Sequence, residues 1–328
     1  MKERILITGA SGFVGYHLID EALKNNLSVF AAIRKSSDIS HLKDFDIQYT
    51  YPDFDDLLSL ENELRENQYD YIIHAAGVTK ARSQNEYDHI NAAYTQNLAS
   101  AVLGSGINLK KFVLISSLAA VGPLKSLQGI ITEETIPHPV TAYGKSKLLA
   151  EENLKAFASL NYIILRPTGV YGPRDKGIFI FFKQLARGIE PYIGNIRQKF
   201  SFIYVSDVAK AAVKALYARG QKAYNLSDGN FYDRYELGNI TKEVLNIKTI
   251  KFHLPVNFVK IIAIISEKYG SLKNRASILN VEKLDELMAV NWSCDIEQAK
   301  ADLGFYPLYN LKAGVTETLK WYKSNKWL

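Results

Sequence analysis

Short runs of apolar residues alternate with longer segments in which apolar residues recur every three to four positions. The short runs predict strands at Arg4–Thr8, Ser28–Arg34, Ile47–Tyr51, Tyr71–Ala75, Phe112–Ser116 and Tyr162–Arg166. The longer segments predict helices at Val14–Lys24, Leu57–Glu66, Ile90–Leu103 and Tyr143–Ala158. Nearly continuous apolar strands separated by helices are typical of a parallel sheet covered on both faces. The pattern therefore predicts an α/β fold with a doubly wound parallel sheet, of the Rossmann type.

The rhythm loosens after Arg166, where prolines and glycines indicate a long loop. A strand is expected at Phe200–Val205, and helices at Val208–Ala218 and Lys312–Tyr322. We expect residues 1–170 to form the sheet domain, with 200–225 returning to it. Residues 171–199 and 226–328 would form a smaller mixed lobe that binds the substrate. The apolar segment Leu254–Ser266 predicts an amphipathic helix over a pocket, since it is too short to span a bilayer.

Composition narrows the setting of the protein. The chain has 328 residues, a net charge of +6 and one cysteine, Cys294, which fits a reducing cytoplasm. We expect no secretory signal, because the N-terminus enters a strand without an apolar leader. Lysines and arginines are scattered, so nucleic acid is not an expected partner, and neither is a membrane.

The turn after the first strand reads Thr8-Gly9-Ala10-Ser11-Gly12-Phe13-Val14-Gly15. A glycine-rich turn that opens a helix offers backbone N–H groups and the positive end of a helix dipole to a phosphate. Gly9 would allow the tight turn, Gly12 the approach of a pyrophosphate, and Gly15 close packing of the helix. The spacing G-x-x-G-x-x-G is also open to interpretation as a simple bend, but its place after an N-terminal strand favours a dinucleotide site.

Tyr143 and Lys147 lie four residues apart at the start of a predicted helix and would project from one face of it. An ammonium beside a phenol lowers the pKa of the phenol, so we expect Tyr143 to exchange protons near neutral pH. The same spacing occurs at Tyr269/Lys273 and Tyr322/Lys326. We expect these two tyrosines to lie at the surface, since neither follows a strand of the cofactor half.

Ser116 and Ser117 end the fifth predicted strand, where a hydroxyl that faces a substrate is expected. They could also be strand-ending serines without a chemical role. His74 ends a buried strand and is interpreted as a core histidine, and Asn91 as a residue that supports the active-site helix. The histidines are not spaced with acidic partners, so no metal is predicted.

Several segments together resemble the extended short-chain dehydrogenase/reductase superfamily. They are TGASGFVG, HAAG at 74–77, SSLAAVG at 116–122, YGKSK at 143–147, LRPTGVYGP at 165–173 and FIYVSDVAKA at 202–211. They occur in the order and spacing of that superfamily. The C-terminal third is covered only loosely.

The resemblance implies roles for individual residues. Tyr143 would be the general acid/base, Lys147 would tune it and bind the nicotinamide ribose, and Ser117, by its distance from Gly122, would orient the substrate oxygen. The further residues implied to contact the cofactor are Gly9, Ser11, Gly12, Phe13, Val14, Gly15, Asp53, Phe54, Ala75, Ala76, Gly77, Pro167 and Val170. Members of this superfamily often form homodimers, so a homodimer is a further expectation.

The residues after the second strand indicate which cofactor is preferred. NAD enzymes normally place an acidic residue there to bind the adenosine ribose. Here Ile33 takes that place, and Arg34 follows it, with Ser36 nearby. A guanidinium suits a 2′-phosphate, so we predict a preference for NADP(H), with NAD(H) also possible. Arg34 and Lys35 as merely solvated charges remain the alternative.

Two reaction classes remain open. One is a reductase or dehydrogenase resembling 3β-hydroxysteroid dehydrogenases and dihydroflavonol reductases. The other is a nucleotide-sugar epimerase or dehydratase that keeps its cofactor bound. Nucleotide-sugar members usually carry an arginine where this chain has Phe200, although Arg174, Arg197 or Lys199 could substitute. That departure favours a reductase acting on a small or hydrophobic substrate. A third interpretation, a dinucleotide sensor without catalysis, does not need Ser117, Tyr143 and Lys147 together.

Overall fold

The computed structural model describes residues 2–272 and 280–328. The strands are β1 Arg4–Thr8, β2 Ser28–Ala32, β3 Gln48–Thr50, β4 Tyr71–His74, β5 Lys111–Ile115, β6 Tyr162–Pro167, β7 Gly169–Tyr171, β8 Ile189–Ile193, β9 Lys199–Phe200, β10 Phe202–Tyr204, β11 Lys222–Leu226, β12 Tyr232–Asp233, β13 Ile250–Leu254 and β14 Asn291–Trp292.

The α-helices are α1 Phe13–Lys24, α2 Leu57–Asn67, α3 Gln84–Tyr87, α4 Tyr94–Ser105, α5 Ala142–Lys155, α6 Phe179–Ala186, α7 Val205–Ala215, α8 Glu236–Leu245, α9 Val256–Leu272, α10 Val281–Met288, α11 Glu297–Leu303 and α12 Leu311–Ser324. Short 3-10 turns span Ser40–Leu42 and Leu118–Ala120, and a π-helical segment spans Asp88–Ala93.

Seven of these strands form one parallel sheet in the order β11-β6-β5-β4-β1-β2-β3. Side chains alternate across it, as the strand period of two requires. Ile5 and Ile7 join a core beneath α1 and α7, whereas Leu6 joins a second core beneath α2, α4 and α5. The predicted α/β fold with a doubly wound parallel sheet is therefore confirmed.

Most predicted elements are present with shifted ends. The second strand stops at Ala32, which leaves Arg34 in the following loop. The strand expected at Phe200–Val205 is two strands instead, interrupted at Ser201. Ser201 leaves the ladder because its hydroxyl donates to the Asn230 carbonyl at 3.0 Å and its carbonyl accepts from the Thr168 hydroxyl at 2.8 Å. β9 then pairs with β12 and β14, and β10 pairs with β7.

The C-terminal elements pack around a third core, formed mainly by α6, α8, α12 and aromatic residues of β7 and β10. Tyr322 lies in this core and was wrongly expected at the surface. It is fully buried, and its hydroxyl donates to the carbonyl oxygens of Asp175 and Gly172 at 2.9 and 3.2 Å. The side chain of Tyr269 lies outside the part of the chain that the structure describes, and so does the whole of Lys273.

Candidate active site

The glycine turn after β1 holds the loop after β4 at contact distance. Gly9 has φ +67°, and a Cβ at this position would lie 2.5 Å from the Ala75 carbonyl oxygen. A Cβ at Gly15 would lie 2.2 Å from the Gly9 carbonyl oxygen, so α1 starts directly against the turn. Any side chain at either position would push these segments apart.

The first turn of α1 is open to an anion. Within the described residues, no side chain caps this helix at Gly12, and its first turn carries no acidic group. The backbone N–H groups near Ser11, Phe13 and Val14 therefore keep their capacity to bind phosphate oxygens, which the helix dipole reinforces. The geometry can accept the pyrophosphate of a dinucleotide.

Thr8 ties this turn to the end of β4. Its hydroxyl oxygen accepts hydrogen bonds from the N–H groups of Ala75 and Ala76 at 3.1 and 3.0 Å, and it contacts His74 Nδ1 at 2.8 Å. Burial lowers the pKa of His74 to about 3, with a smaller contribution from Lys147. The imidazole is therefore neutral at physiological pH and takes part in structure rather than proton transfer.

The loops after β2 and β3 lie at the same edge of the sheet. Arg34 is exposed two residues beyond β2, and Ile33 is buried. Asp53 is exposed, and its carboxylate accepts from the Asp55 N–H at 3.0 Å. Phe54 stacks on Tyr94 with ring centroids 5.2 Å apart. These side chains line the edge where the adenosine end of a dinucleotide would lie.

A glycine inside α5 brings Ser117 to Tyr143. Thr141 caps α5 by accepting from the Gly144 N–H at 3.0 Å, and Tyr143 follows in the first turn. A Cβ at Gly144 would lie 2.4 Å from the Ala119 carbonyl oxygen. The helix therefore starts against the 3-10 turn that Ser117 caps by accepting from the Ala119 N–H at 3.2 Å, and the Ser117 side chain lies near that of Tyr143.

The pKa of Tyr143 differs from the sequence expectation. Burial raises it to about 12, and the nearby Ser117 hydroxyl opposes this only in part. Lys147 was expected to lower it, but the Lys147 ammonium instead donates to the Ile115 carbonyl oxygen at 2.7 Å. Tyr143 is thus a protonated phenol at neutral pH, able to donate a proton.

Lys147 lies below Tyr143 with 5% of its surface exposed. Burial lowers its pKa to about 8, and Glu151 one turn further along α5 opposes the effect. A Cβ at Gly77 would lie 3.8 Å from the Lys147 ammonium, so the HAAG loop passes directly beside it. The structure therefore brings Lys147 next to the backbone at 75–77.

Beneath the site lies a buried ion pair that the sequence analysis missed. Arg166 at the end of β6 donates from Nε to both carboxylate oxygens of Glu151, at 2.9 and 3.2 Å, and from Nη2 to Oε2 at 2.5 Å. The Ser116 hydroxyl donates to Glu151 Oε1 at 2.6 Å. The spacing of Glu151, four residues after Lys147, was the available signal. The Ser116 hydroxyl is thus bound to Glu151 below the site, whereas Ser117 lies on the side of Tyr143.

Asn91 supports α5 from the side. Its side chain accepts from the Val78 N–H at 2.8 Å and donates to the Ser146 hydroxyl at 2.9 Å. It lies in the π-helical segment Asp88–Ala93. This segment therefore links the loop after β4 to the helix that carries Tyr143.

A buried apolar cluster begins at Leu118, the residue after Ser117. Phe200 packs with Leu118, Val121, Ile131, Trp292 and Cys294. No arginine occupies the Phe200 position, while Arg197 and Lys199 beside it are exposed. Arg174 stacks over the Tyr16 ring at 4.0 Å.

Two further groups from outside the predicted site approach Tyr143. The carboxylate of Glu282, at the start of α10, accepts from the Ala142 N–H at 2.8 Å. The ring of Tyr87 lies 6.3 Å from that of Tyr143. Pro167 is the last residue of β6, directly after Arg166, and Val170 lies in the next strand, β7.

Comparison with known proteins assigns the family. The sequence profile described as the NAD dependent epimerase/dehydratase family matches residues 5–227. The chain belongs to this family. It is an enzyme whose relatives include epimerases, dehydratases and dehydrogenases, and the resemblance to the extended dehydrogenase/reductase superfamily is confirmed.

Two curated relatives of this family member span nearly the whole chain. A UDP-glucose 4-epimerase of Vibrio cholerae is 28% identical, covering 97% of this chain and 95% of the relative. A decarboxylating sterol-4-alpha-carboxylate 3-dehydrogenase of Candida albicans is 27% identical, covering 97% of each. The two relatives therefore represent both reaction classes that the sequence leaves open.

The structure of a Thermotoga maritima UDP-glucose 4-epimerase with UDP-glucose superposes with a TM-score of 0.82 at 22% identity. It covers 98% of this chain and 99% of that chain. This similarity supports the fold described above.

Among the described residues, no group of three or more His, Cys, Asp or Glu side chains is placed to hold a metal ion. No helix in the same ranges has the length and apolar character needed to cross a bilayer.

Proposed function

We propose that this family member is an NADP(H)-dependent reductase or dehydrogenase that transfers hydride between nicotinamide and a secondary alcohol or carbonyl of a hydrophobic substrate. The observation that carries the proposal is the half-buried Phe200, which packs on the buried apolar cluster of Leu118, Val121 and Trp292. Its ring can contact hydrocarbon and offers no hydrogen bond or charge to a substrate pyrophosphate. Residues 171–199 and 226–328 would supply most of the substrate-binding lobe.

The chain's own residues perform the proton chemistry. When bound, the nicotinamide supplies or accepts the hydride. The Tyr143 hydroxyl, which is protonated at neutral pH, donates a proton to the carbonyl oxygen in the reductive direction. The Ser117 hydroxyl, which lies beside Tyr143, orients the same oxygen. Lys147 binds the nicotinamide ribose from its place beside Gly77.

The preference for NADP(H) is supported by the loop after β2. Arg34 is exposed there, Ile33 is buried, and no carboxylate stands at either position to repel a 2′-phosphate. A guanidinium–phosphate pair contributes about 1.5–3 kcal/mol, so Arg34→Ala should weaken NADPH binding about tenfold to a hundredfold and leave NADH binding unchanged. Fluorescence titration of both cofactors measures this. Equal or tighter binding of NADH by the unaltered protein would contradict the preference.

A nucleotide-sugar epimerase is the second candidate. It is supported by the 28% identity to the Vibrio cholerae relative and by the exposed Arg197 and Lys199 next to Phe200, which could reach a pyrophosphate. In that case the cofactor stays bound and is regenerated within each turnover.

Purification followed by a substrate test separates the two candidates. The reductase predicts a protein that is purified largely free of nucleotide and oxidises NADPH when apolar ketones are added. The epimerase predicts tightly bound cofactor and interconversion of UDP-sugars without net oxidation of added NADPH. The second result would overturn the proposal.

A further inference from the structure

Helix α9 exposes apolar side chains to the outside of the molecule. The sequence predicts an amphipathic helix here, and Val259 and Ala263 are buried, whereas Phe258, Ile261 and Ile265 are 53%, 57% and 61% exposed. Ile262 and Ile264 are exposed as well. Apolar side chains gathered on one exposed helix face indicate an interaction surface, because leaving them in water is unfavourable.

The ribbon that leads into α9 also exposes apolar side chains. β13 pairs in parallel with β8, with Ile250 opposite Ile189. Ile189, Ile250 and Phe252 are exposed. Ile250 and Phe252 are two residues apart and so share one face of β13. We name the exposed apolar residues of β8, β13 and α9 the apolar face.

The segments that contain and flank these elements carry an excess of positive charge. Residues 183–199 and 248–267 contain seven basic residues, namely Lys183, Arg187, Arg197, Lys199, Lys248, Lys251 and Lys260. They contain two carboxylates, Glu190 and Glu267. Glu190 is buried and paired with Lys242 at 2.9 Å and with Lys251 at 3.7 Å, so these three groups together still carry one net positive charge.

The charge pattern selects the partner. A second copy of this chain docked symmetrically on the same face would bring two positively charged surfaces together, which costs free energy. An anionic lipid surface attracts the lysines and accepts the isoleucines and phenylalanines below its headgroups.

The apolar face is also next to the candidate active site. α9 and α10 pack together, and Glu282 at the start of α10 accepts from the Ala142 N–H at the start of α5. Tyr143 is the next residue of α5. A lipid surface in contact with α9 would therefore be linked through α10 to the start of α5, where Tyr143 lies.

We propose that the apolar face docks on an anionic membrane surface, with α9 lying in the interface and not crossing it. This proposal replaces the expectation from the sequence that a membrane is not a partner. It rests on the proposed function in one respect, namely that the substrate is hydrophobic and therefore present in the lipid to which the enzyme docks. The docked chain would take such a substrate from the lipid without releasing it into water.

Vesicle flotation tests the proposal on the full-length protein. The probes are vesicles of phosphatidylcholine alone and of phosphatidylcholine mixed with phosphatidylglycerol. We expect binding to the mixed vesicles that weakens as salt is raised, because salt screens the lysines. The double variant Ile261→Ser/Ile265→Ser should bind at least about tenfold more weakly. Lys248→Glu/Lys260→Glu should bind about thirtyfold more weakly.

The matched controls are Leu58→Ser/Ile136→Ser and Lys320→Glu/Lys323→Glu, which change exposed residues elsewhere on the chain. They should float like the unaltered protein. Circular dichroism confirms that all variants are folded.

Failure to float with either vesicle would overturn the proposal. So would equal loss of binding in the controls, or a dimer in analytical ultracentrifugation that the isoleucine variant abolishes. Turnover of a water-soluble ketone is measured in parallel. Flotation without turnover would refute the proposed reductase and leave the docking proposal intact. Turnover without flotation would refute the docking proposal and leave the reductase intact.

Discussion

Each half of the molecule contains a buried carboxylate, and the two are held in different ways. Glu151 lies under the candidate active site and is paired with Arg166, whose side chain is 4% exposed, and with the Ser116 hydroxyl. Glu190 lies in the C-terminal half under the apolar face. Its cationic partners are Lys242 and Lys251, which are 22% and 37% exposed.

The difference shows how rigid each region has to be. A guanidinium fork on a carboxylate fixes both groups in one plane, and it joins β6 to α5 while Ser116 adds the end of β5. Lysines are flexible and reach Glu190 from solvent. The ion pair under the candidate active site is thus held more rigidly than the ion pairs of Glu190.

Replacing Glu151 should have the largest effect on stability. Glu151→Gln leaves the charge of Arg166 buried without its partner, which costs about 3–5 kcal/mol in the free energy of unfolding. Urea denaturation measures it, and Glu152→Gln, on the exposed neighbour, is the matched control. A loss below about 1 kcal/mol would mean that the ion pair does not hold the site together.

Lys147 should give stability a distinctive pH dependence. Its pKa is lowered to about 8 in the folded chain from an ordinary value of 10.5, so the unfolded chain binds more protons between these values. Stability relative to Lys147→Met should therefore rise between pH 8 and 10, by up to about 1.4 kcal/mol per pH unit. Parallel denaturation curves for the two proteins across this range would contradict the buried position of Lys147.

Replacing Glu190 should have a smaller effect than replacing Glu151. Glu190→Gln should cost about 1–2 kcal/mol, because Lys242 and Lys251 can turn into solvent once the charge is gone. Although burial raises the pKa of Glu190, hydrogen bonds from Thr249, Lys242 and Tyr192 lower it overall. The carboxylate therefore stabilises the fold above its ordinary pKa of 4.5, and this advantage is lost as pH falls below it. Urea denaturation at pH 7 and pH 4 measures both effects, and a cost equal to that of Glu151→Gln would remove the contrast between the regions.

The cofactor half could be predicted well from the sequence because its signals are local. Apolar runs set the strands, and glycines at 9, 12 and 15 mark a turn whose geometry depends on neighbouring residues. The sequence predicts that β2 ends at Arg34, but the strand ends two residues earlier, at Ala32. The apolar run continues to Ile33 and so extends beyond the last residue of the strand. Local pattern does not show where strand pairing stops.

The rest of the site depends on contacts between distant parts of the chain. The raised pKa of Tyr143 comes from burial, and Glu282 and Tyr87 approach it from other elements. Tyr322 was wrongly expected at the surface because its place in the third core depends on a loop about 150 residues earlier. The outward side of α9 was equally hidden, since an apolar periodicity shows that a helix has an apolar face but not what it meets.

Tyr143→Phe tests the central claim most directly, that the Tyr143 hydroxyl donates the proton that accompanies hydride transfer. The measurements are single-turnover oxidation of NADPH with an apolar ketone and the dissociation constant of NADPH. We predict a rate lower by about a hundredfold or more, with the dissociation constant unchanged, since the ring remains and only the proton donor is removed. A variant that transfers hydride at the rate of the unaltered enzyme would contradict the account.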